Sequence, residues 1–193
     1  MFFQHIFESS LAHSSYIIGC QAKGVALVID PKRDVDSYLE IAQKNNLTIT
    51  HIAETHIHAD YLSGTLELAA LTGAQPYLSD EGGEDWQYEF PHIGLKHGDQ
   101  FQVGNLIFQV IHTPGHTPES ISFILIDTPA TMEPVMIFTG DFVFVGDIGR
   151  PDLLENAAGM IGTKEIGAHQ MYQSFQHFLD LHDNIKLCQA QWE

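Results

Sequence analysis

The chain has 193 residues, 44% of them hydrophobic, so we expect a single domain over residues 1–193 with a core of its own. Its 25 acidic residues outnumber its 8 basic residues, which gives a net charge of -17 at pH 7. This surplus excludes general binding to nucleic acid or to anionic membranes, because neutralising phosphates requires clustered Lys and Arg.

Cysteine content and hydrophobic runs indicate a cytoplasmic protein. Cys20 and Cys188 are too few for a disulfide framework, which is typical of a reducing compartment. No run approaches the 18 consecutive apolar residues that a membrane-spanning helix needs. Residues 1–8 lack the basic start of a signal peptide and carry His and Glu early.

The first half of the chain predicts alternating strands and helices. Residues 25–31 are an apolar run stopped by Asp-Pro, which indicates a buried strand. A helix follows from Asp34 and ends at Asn45 and Asn46. Residues 48–54 alternate and are rich in β-branched side chains, so they predict a strand, and residues 61–72 predict a second helix.

The second half of the chain predicts a meander of strands and a last helix. Residues 80–94 and 146–162 are rich in glycine and indicate irregular structure. Strands are predicted over residues 100–103, 105–112, 120–127, 135–139 and 185–188, and a helix over residues 164–181. This order favours an α/β layered domain with helices outside extended sheets.

Twelve histidines are the unusual feature of the composition, and two of them lie in a cluster. His56, His58 and Asp60 follow a predicted strand directly, and strand alternation places the two imidazoles on the same side. Imidazole and carboxylate ligands together suit zinc or iron. The alternative is an ordinary turn in which Asp60 caps the next helix.

Two further candidate ligands also follow predicted strands. His116 stands in a Pro-Gly turn, and Asp141 follows Gly140 at the end of a strand. Each could equally be an ordinary turn residue. Together with His56 they form a set too widely spaced for a local metal finger, so a metal site requires a fold that gathers strand ends.

These motifs resemble the metallo-β-lactamase superfamily. The matching segments are His-x-His-x-Asp at residues 56–60, Pro-Gly-His-Thr at residues 114–117 and Gly-Asp at residues 140–141. The resemblance implies a four-layer αββα sandwich with a metal site at one edge of the two sheets. It also implies a C-terminally shortened form of that fold, because members continue beyond the last histidine of the pattern.

The chain departs from the di-zinc hydrolases of that superfamily at two positions. Tyr61 stands where they have His, and Gln191 stands near the place of their final His. Both of those imidazoles serve the second metal of a di-zinc site. The departures therefore argue against ordinary di-zinc thioesterase or lactamase chemistry.

The persulfide dioxygenase branch, which is similar to glyoxalase II, fits the sequence better. Residues 54–64, 114–120 and 146–153 are similar to the bacterial members that are often fused to rhodanese domains. This resemblance implies one Fe(II) per chain, held by His56, His116 and Asp141. Zinc is the alternative metal, either as the native ion or as an ion taken up during protein expression. It implies that the substrates are O2 and a thiol persulfide such as glutathione persulfide, oxidised to sulfite.

The resemblance also suggests roles for residues around this triad. His58 and Asp60 would orient the ligands or hydrogen-bond the bound oxygen species. Arg150 would organise the site or meet an anionic thiol, or else form an internal salt bridge with a neighbouring aspartate such as Asp152. Tyr61 would be a packing residue or a hydrogen-bond donor.

Two other functions stay open at this point. One is a zinc metallo-hydrolase of the glyoxalase II type that acts on a thioester. The other is a metal-binding remnant with little activity that acts through its fold or by oligomerising. A homo-oligomer is compatible with each of these functions.

Overall fold

The structure is a computed structural model that describes residues 1–156, 159–181 and 184–191. Its first half contains two helices and six strands: β1 (Phe2–Glu8), β2 (His13–Cys20), β3 (Val25–Ile29), α1 (Asp36–Lys44), β4 (Thr48–Ala53), α2 (Thr65–Thr72), β5 (Gln75–Ser79) and β6 (Ile93–Leu95). Its second half contains β7 (Gln100–Val103), β8 (Leu106–His112), β9 (Ile121–Asp127), β10 (Met136–Gly140), β11 (Val143–Phe144), β12 (Asp147–Ile148), α3 (Leu153–Asn156), α4 (Thr163–Leu179) and β13 (Lys186–Gln189).

The strands form two sheets that face each other. The first has the order β1-β2-β3-β4-β5-β6 and the second β13-β10-β9-β8-β7, while β11 and β12 form a separate hairpin. The first sheet is antiparallel from β1 to β3 and parallel from β3 to β6. In the second sheet β13 runs parallel to β10, and the other pairs are antiparallel.

The main core lies between the two sheets. Strand β2 contributes Tyr16 and Ile18 to it, and the second sheet contributes Phe108, Phe123 and Phe138. These five side chains are at most 4% exposed, so each removes most of its apolar surface from water. This packing of sheet on sheet supplies the two inner layers of the fold.

The helices supply the two outer layers. Tyr38 and Ala42 of α1 and Leu68 of α2 pack on the outer face of the first sheet. On the other side, Met171 of α4 packs in a cluster with Phe142, Val143 and Leu187. The predicted four-layer αββα sandwich is therefore confirmed.

Several element boundaries differ from the predictions. Helix α2 begins at Thr65 and not at residue 61, because the Gly64 N–H bonds the Pro31 carbonyl and the preceding segment is held as a loop. The 80–94 segment contains a 3-10 turn over Glu84–Trp86 and the start of β6. The 146–162 segment, in its described part, contains β12 and α3.

Six strands of the described chain were not predicted, namely β1, β2, β5, β6, β11 and β12. Every residue of β2 is buried, so the strand shows no alternation of polar and apolar side chains. Strand β5 carries Pro76, a residue that usually argues against a strand.

Strand ends meet at one edge of the sandwich. The segment that follows β4 carries His56, the turn between β8 and β9 carries His116, and Asp141 follows β10. The Ile121 N–H bonds the Thr55 carbonyl over 2.8 Å, which joins the first sheet to the second at this edge. Within the described part of the chain, no helix is long and apolar enough to cross a membrane.

Tyr38→Phe tests how the first outer layer is held. The fully buried Tyr38 hydroxyl accepts the Lys32 N–H over 2.8 Å and bonds the Ser15 hydroxyl over 2.6 Å. Removing this oxygen leaves the Lys32 N–H and the Ser15 hydroxyl without this hydrogen-bond partner. The free energy of unfolding should therefore fall by about 1–3 kcal/mol in urea denaturation. Glu40→Ala, at an exposed position of the same helix, should change it by less than about 0.5 kcal/mol, and equal effects would contradict the assignment.

Candidate metal centre

Three metal-binding side chains converge at the sheet edge. One ligand atom from each of His56, His116 and Asp141 lies within 4.8 Å of the others. The His116 Nε2 is 3.5 Å from the Asp141 Oδ2, and the two imidazole centroids are 5.0 Å apart. All three residues are at most 8% exposed. Two imidazoles and one carboxylate at this spacing can hold one metal ion on one face and leave other positions open.

The hydrogen bonds of His56 fix the nitrogen that it offers. The Thr55 hydroxyl donates to the Asp30 Oδ2 over 2.9 Å, so it can only accept from the His56 Nδ1, 3.0 Å away. Burial, followed by the nearby imidazoles, lowers the pKa of His56 well below its usual value and keeps the ring neutral. The proton is therefore on Nδ1, and the Nε2 lone pair is free for a metal.

His116 is oriented in the same way by a backbone group. Its Nδ1 lies 3.3 Å from the Arg150 carbonyl, which can only accept. Burial lowers the pKa of His116, against the opposing effect of that carbonyl, so the ring is neutral with its proton on Nδ1. The Nε2 of His116 thus faces Asp141 without a proton.

Asp141 is a buried carboxylate with one oxygen that has no hydrogen-bond partner among the described residues. Its Oδ1 is fully enclosed and accepts no hydrogen bond from any described residue. Burial raises the pKa of Asp141 to about 7, with His58 opposing the rise. Burying a carboxylate oxygen without a partner costs free energy, and the two imidazoles beside it are neutral. A bound cation would supply the partner that this oxygen lacks.

His58 lies beside the triad and is paired with Asp30, with its ring centroid 4.1 Å from that of His56. Its Nε2 lies 3.2 Å from the Asp30 Oδ1, and both side chains are at most 3% exposed. Burial alone would lower the pKa of His58, but the Asp30 carboxylate outweighs it and raises the pKa to about 9. His58 is therefore a protonated partner of Asp30, and its role toward the candidate ligands stays a prediction.

Asp30 also binds the backbone of the segment that carries His56. Its Oδ1 accepts the Thr55 N–H over 2.7 Å. Asp30 has a φ of 50°, a left-handed conformation that is unusual for a residue other than glycine. Strain of this kind persists where surrounding bonds impose it, as the bonds to Thr55 and His58 do here.

Tyr61 packs between two histidine rings, both tilted relative to it. Its ring centroid lies 4.5 Å from that of His58 and 4.2 Å from that of His13. The Tyr61 hydroxyl and both ring nitrogens of His13 are buried without a hydrogen-bond partner among the described residues. Tyr61 is therefore a packing residue in this structure and donates to none of the described groups.

Asp60 and Arg150 line the mouth of the site. Asp60 is exposed and its Oδ2 accepts from the Gln191 Nε2 over 3.3 Å, so it does not cap α2. The Arg150 guanidinium makes two bonds to Asp152, at 2.9 and 3.2 Å. This is the internal salt bridge considered above, and Arg150 contacts the triad through its backbone carbonyl.

A cavity of about 220 Å³ opens over the triad. Besides the three candidate ligands it is lined by Ala59, Asp60, Phe144, Gly149, Arg150, Leu153 and Gln191. A second cavity of about 440 Å³ shares Phe144, Arg150 and Gln191 with it and extends along the β11–β12 hairpin. The site can therefore receive a small reacting group at the triad and a longer arm along the hairpin.

Sequence reasoning missed His13 and Asp30. Strand β2 brings His13 to the site from the start of the chain, and its backbone pairs with Gln191. The residues around His13 form no metal-binding motif, so the sequence carried no sign that His13 lies at the site. Asp30 carried a signal, since an Asp-Pro step after a buried strand marks a strand end at the same edge as His56.

His13→Phe tests the cost of burying this imidazole. Burial lowers the pKa of His13 to about 4 from the usual 6.5, so below pH 6.5 the unfolded chain takes up a proton that the folded chain resists. Between pH 7 and pH 5 the metal-free wild type should lose about 2 kcal/mol more stability than His13→Phe, measured by urea denaturation. Identical pH dependences would show that His13 is not buried in its neutral form.

Comparison with known proteins identifies relatives of two activities. Hydroxyacylglutathione hydrolase of Rhodospirillum rubrum is 33% identical over 76% of this chain. The mitochondrial persulfide dioxygenase ETHE1 of Bos taurus is 30% identical over 80% of it. The chain spans 53% and 58% of the length of these two relatives.

Solved structures share the fold over nearly the whole chain. A metallo-beta-lactamase from Staphylococcus aureus is 47% identical with a TM-score of 0.93, covering 98% of this chain and 56% of that one. ETHE1 from Myxococcus xanthus is 32% identical with a TM-score of 0.83, covering 100% of this chain and 76% of that one. The family model for the metallo-beta-lactamase superfamily matches residues 10–187. The chain therefore belongs to the metallo-beta-lactamase superfamily.

Proposed function

We propose that the chain is a non-haem iron persulfide dioxygenase that oxidises a thiol persulfide with O2 to sulfite. The observation that carries the proposal is the convergence of His56, His116 and Asp141, with the Tyr61 ring packed on the neighbouring His58. The similarity to ETHE1 proteins over the length of this chain supports the same reaction.

The triad residues fit one ferrous ion. The two Nε2 atoms are unprotonated, both residues line the cavity, and Asp141 supplies the charge that a cation needs. Two histidines and one carboxylate with open positions are typical of non-haem Fe(II) oxygenases. His56, His116 and Asp141 would hold the iron, which when bound supplies the redox chemistry that O2 requires.

The proposed reaction converts RSSH, O2 and water into RSH, sulfite and two protons. The terminal sulfur is oxidised and both oxygen atoms of O2 are reduced. The residues of the chain bind and orient the reactants: the smaller cavity holds the terminal sulfur, and the longer cavity along β11–β12 holds the carrier arm. Asp60 lies exposed at the mouth, where it can pass released protons to water.

His58 and Asp30 hold their places behind the ligands. Because His58 is already protonated and paired with Asp30, it supplies a fixed positive charge near Asp141. That charge favours the ionised form of Asp141, which is the form that binds a cation. We propose this electrostatic support as the role of His58 in the cytoplasmic enzyme.

A zinc-dependent thioester hydrolase is the second candidate. The similarity to hydroxyacylglutathione hydrolase favours it, and the same three ligands suit zinc. Tyr61 and Gln191 count against it, because neither is a common metal ligand and a di-zinc hydrolase would need imidazoles there.

Metal analysis with an oxygen-uptake assay separates the two candidates. Protein purified without oxygen should contain about one iron per chain and consume O2 when glutathione persulfide is added, with sulfite formed in equal amount. Hydrolysis of S-lactoylglutathione serves as the control reaction and should be negligible. Zinc-loaded protein that hydrolyses the thioester and takes up no O2 would establish the hydrolase in place of the dioxygenase.

Asp141→Ala and Tyr61→Phe test the proposed ligand set. Asp141→Ala removes the anionic ligand, so metal content after dialysis against a chelator should fall at least tenfold by elemental analysis. Tyr61→Phe keeps the packed ring and should retain metal at the wild-type level. Equal metal content in wild type and Asp141→Ala would contradict the assignment.

A further inference from the structure

Glu119 is a buried carboxylate that the proposed reaction does not use. It lies three residues after His116, is 0% exposed, and precedes β9. A fully buried acid is rare unless its oxygens are bonded, so its partners indicate what it does.

One oxygen of Glu119 joins the two histidine-bearing segments. Its Oε1 accepts the Ile57 N–H over 2.7 Å and the Thr117 hydroxyl over 2.9 Å. Ile57 adjoins His56 in sequence, and Thr117 adjoins His116. A single carboxylate oxygen thus connects the neighbours of both candidate histidine ligands, which come from different sheets.

The backbone of Glu119 is anchored independently of its side chain. Its carbonyl accepts the Ser79 hydroxyl over 2.6 Å, at the end of β5. Space around it is tight, since a Cβ placed on Gly82 would lie 2.8 Å from the Glu119 Cβ. The backbone of Glu119 is therefore fixed in position. The length of its side chain then determines where Ile57 and Thr117 lie.

The Thr117 contact has a defined direction. Its hydroxyl donates to Glu119, so within the 2.6 Å contact to the Ser120 hydroxyl it must accept. Ser120 therefore donates to Thr117 and Thr117 donates to Glu119, while the Ile57 N–H donates to the same Glu119 oxygen, so donors from the two sheets converge on one acceptor. Such a network rigidifies the groups that it joins.

We propose that Glu119 is a positioning residue that sets the separation of His56 and His116 and so sets the metal affinity of the site. The inference rests on the proposed metal site and does not depend on which reaction the metal serves. Residues that orient metal ligands from behind typically change metal affinity 10–100-fold when they are replaced.

The test is titration of metal-free protein with Co(II) against a competing chelator. Glu119→Ala removes the shared acceptor, so the affinity should fall at least tenfold and the visible Co(II) spectrum should change. Glu119→Asp keeps the charge but withdraws the oxygen by one methylene, so it should lose affinity in the same way. Glu119→Gln keeps a carbonyl oxygen as acceptor for both donors and should stay within about threefold of wild type.

This pattern separates geometry from charge. If the negative charge of Glu119 acted on the metal directly, Glu119→Asp would bind Co(II) like wild type and Glu119→Gln would lose affinity. Amide exchange at Ile57 in the metal-free protein gives a second readout and should accelerate in Glu119→Ala and Glu119→Asp. Glu119→Asp preserves a buried carboxylate. If Glu119→Ala does not fold, the Co(II) affinity of Glu119→Asp still tests the proposal.

The matched control is Phe101→Leu, which loosens the core at β7, the edge strand farthest from β13 in the second sheet. It should lower stability while leaving Co(II) affinity and the spectrum unchanged. Wild-type affinity in both Glu119→Ala and Glu119→Asp would overturn the proposal, as would an equal loss in Phe101→Leu. Binding of Co(II) by Asp141→Ala with wild-type affinity would instead show that the triad itself is wrongly assigned.

Discussion

The site depends on the carboxylate of Asp30. Its two oxygens bind the Thr55 N–H, the Thr55 hydroxyl and the His58 Nε2, all within 3.2 Å. Because the Thr55 hydroxyl is committed to Asp30, it must accept from His56, and that fixes which nitrogen His56 turns toward the cavity. The same carboxylate holds His58 behind the triad. One buried anion therefore determines the protonation and direction of two imidazoles.

Four carboxyl groups are buried in and around this site. Asp30, Glu54, Glu119 and Asp141 are all at most 8% exposed, and His58 is the cation that pairs directly with one of them. Glu54 is satisfied by the hydroxyls of Ser63, Thr65 and Tyr88, whereas an oxygen of Glu119 and one of Asp141 find no partner among the described residues. Unpaired buried carboxylate oxygens cost free energy. At Asp141 a bound cation would recover that cost, so the fold is better satisfied with metal than without it.

The sequence predicted what depends on local patterns. The strands with clear stops and the helix α1 follow from apolar periodicity, and the αββα architecture followed from the resemblance that the strand-end motifs carry. His56, His116 and Asp141 were found because each follows a strand at a turn, and the fold brings them together. Their role as ligands stays a prediction. The start of α2 could not be read locally, because a bond from Gly64 to the distant Pro31 holds the preceding loop out of the helix.

The contacts that polarise the site were beyond the reach of the sequence. His13 arrives through a strand that is buried throughout and pairs with Gln191 from the far end of the described chain. Asp30 and Glu119 act through side-chain hydrogen bonds to the backbone of other segments. Bonds of that kind leave no periodic pattern of residues in the sequence. The Asp-Pro step marks Asp30 as a strand end, but its bonding partners, like those of Glu119, are seen only in the structure.

The region beside the triad argues for one metal and against two. A second ion near His58 would have to displace its proton, which the Asp30 carboxylate stabilises by raising the pKa to about 9. It would also have to take Asp60 from Gln191, and it would meet the ring of Tyr61, which packs on His58, where an imidazole is needed. In place of bonds to a second metal, His58 makes an ion pair, Asp60 makes a hydrogen bond and Tyr61 makes a ring contact. The polar groups beside the triad are thus engaged with one another, which supports the single metal ion of the proposed function.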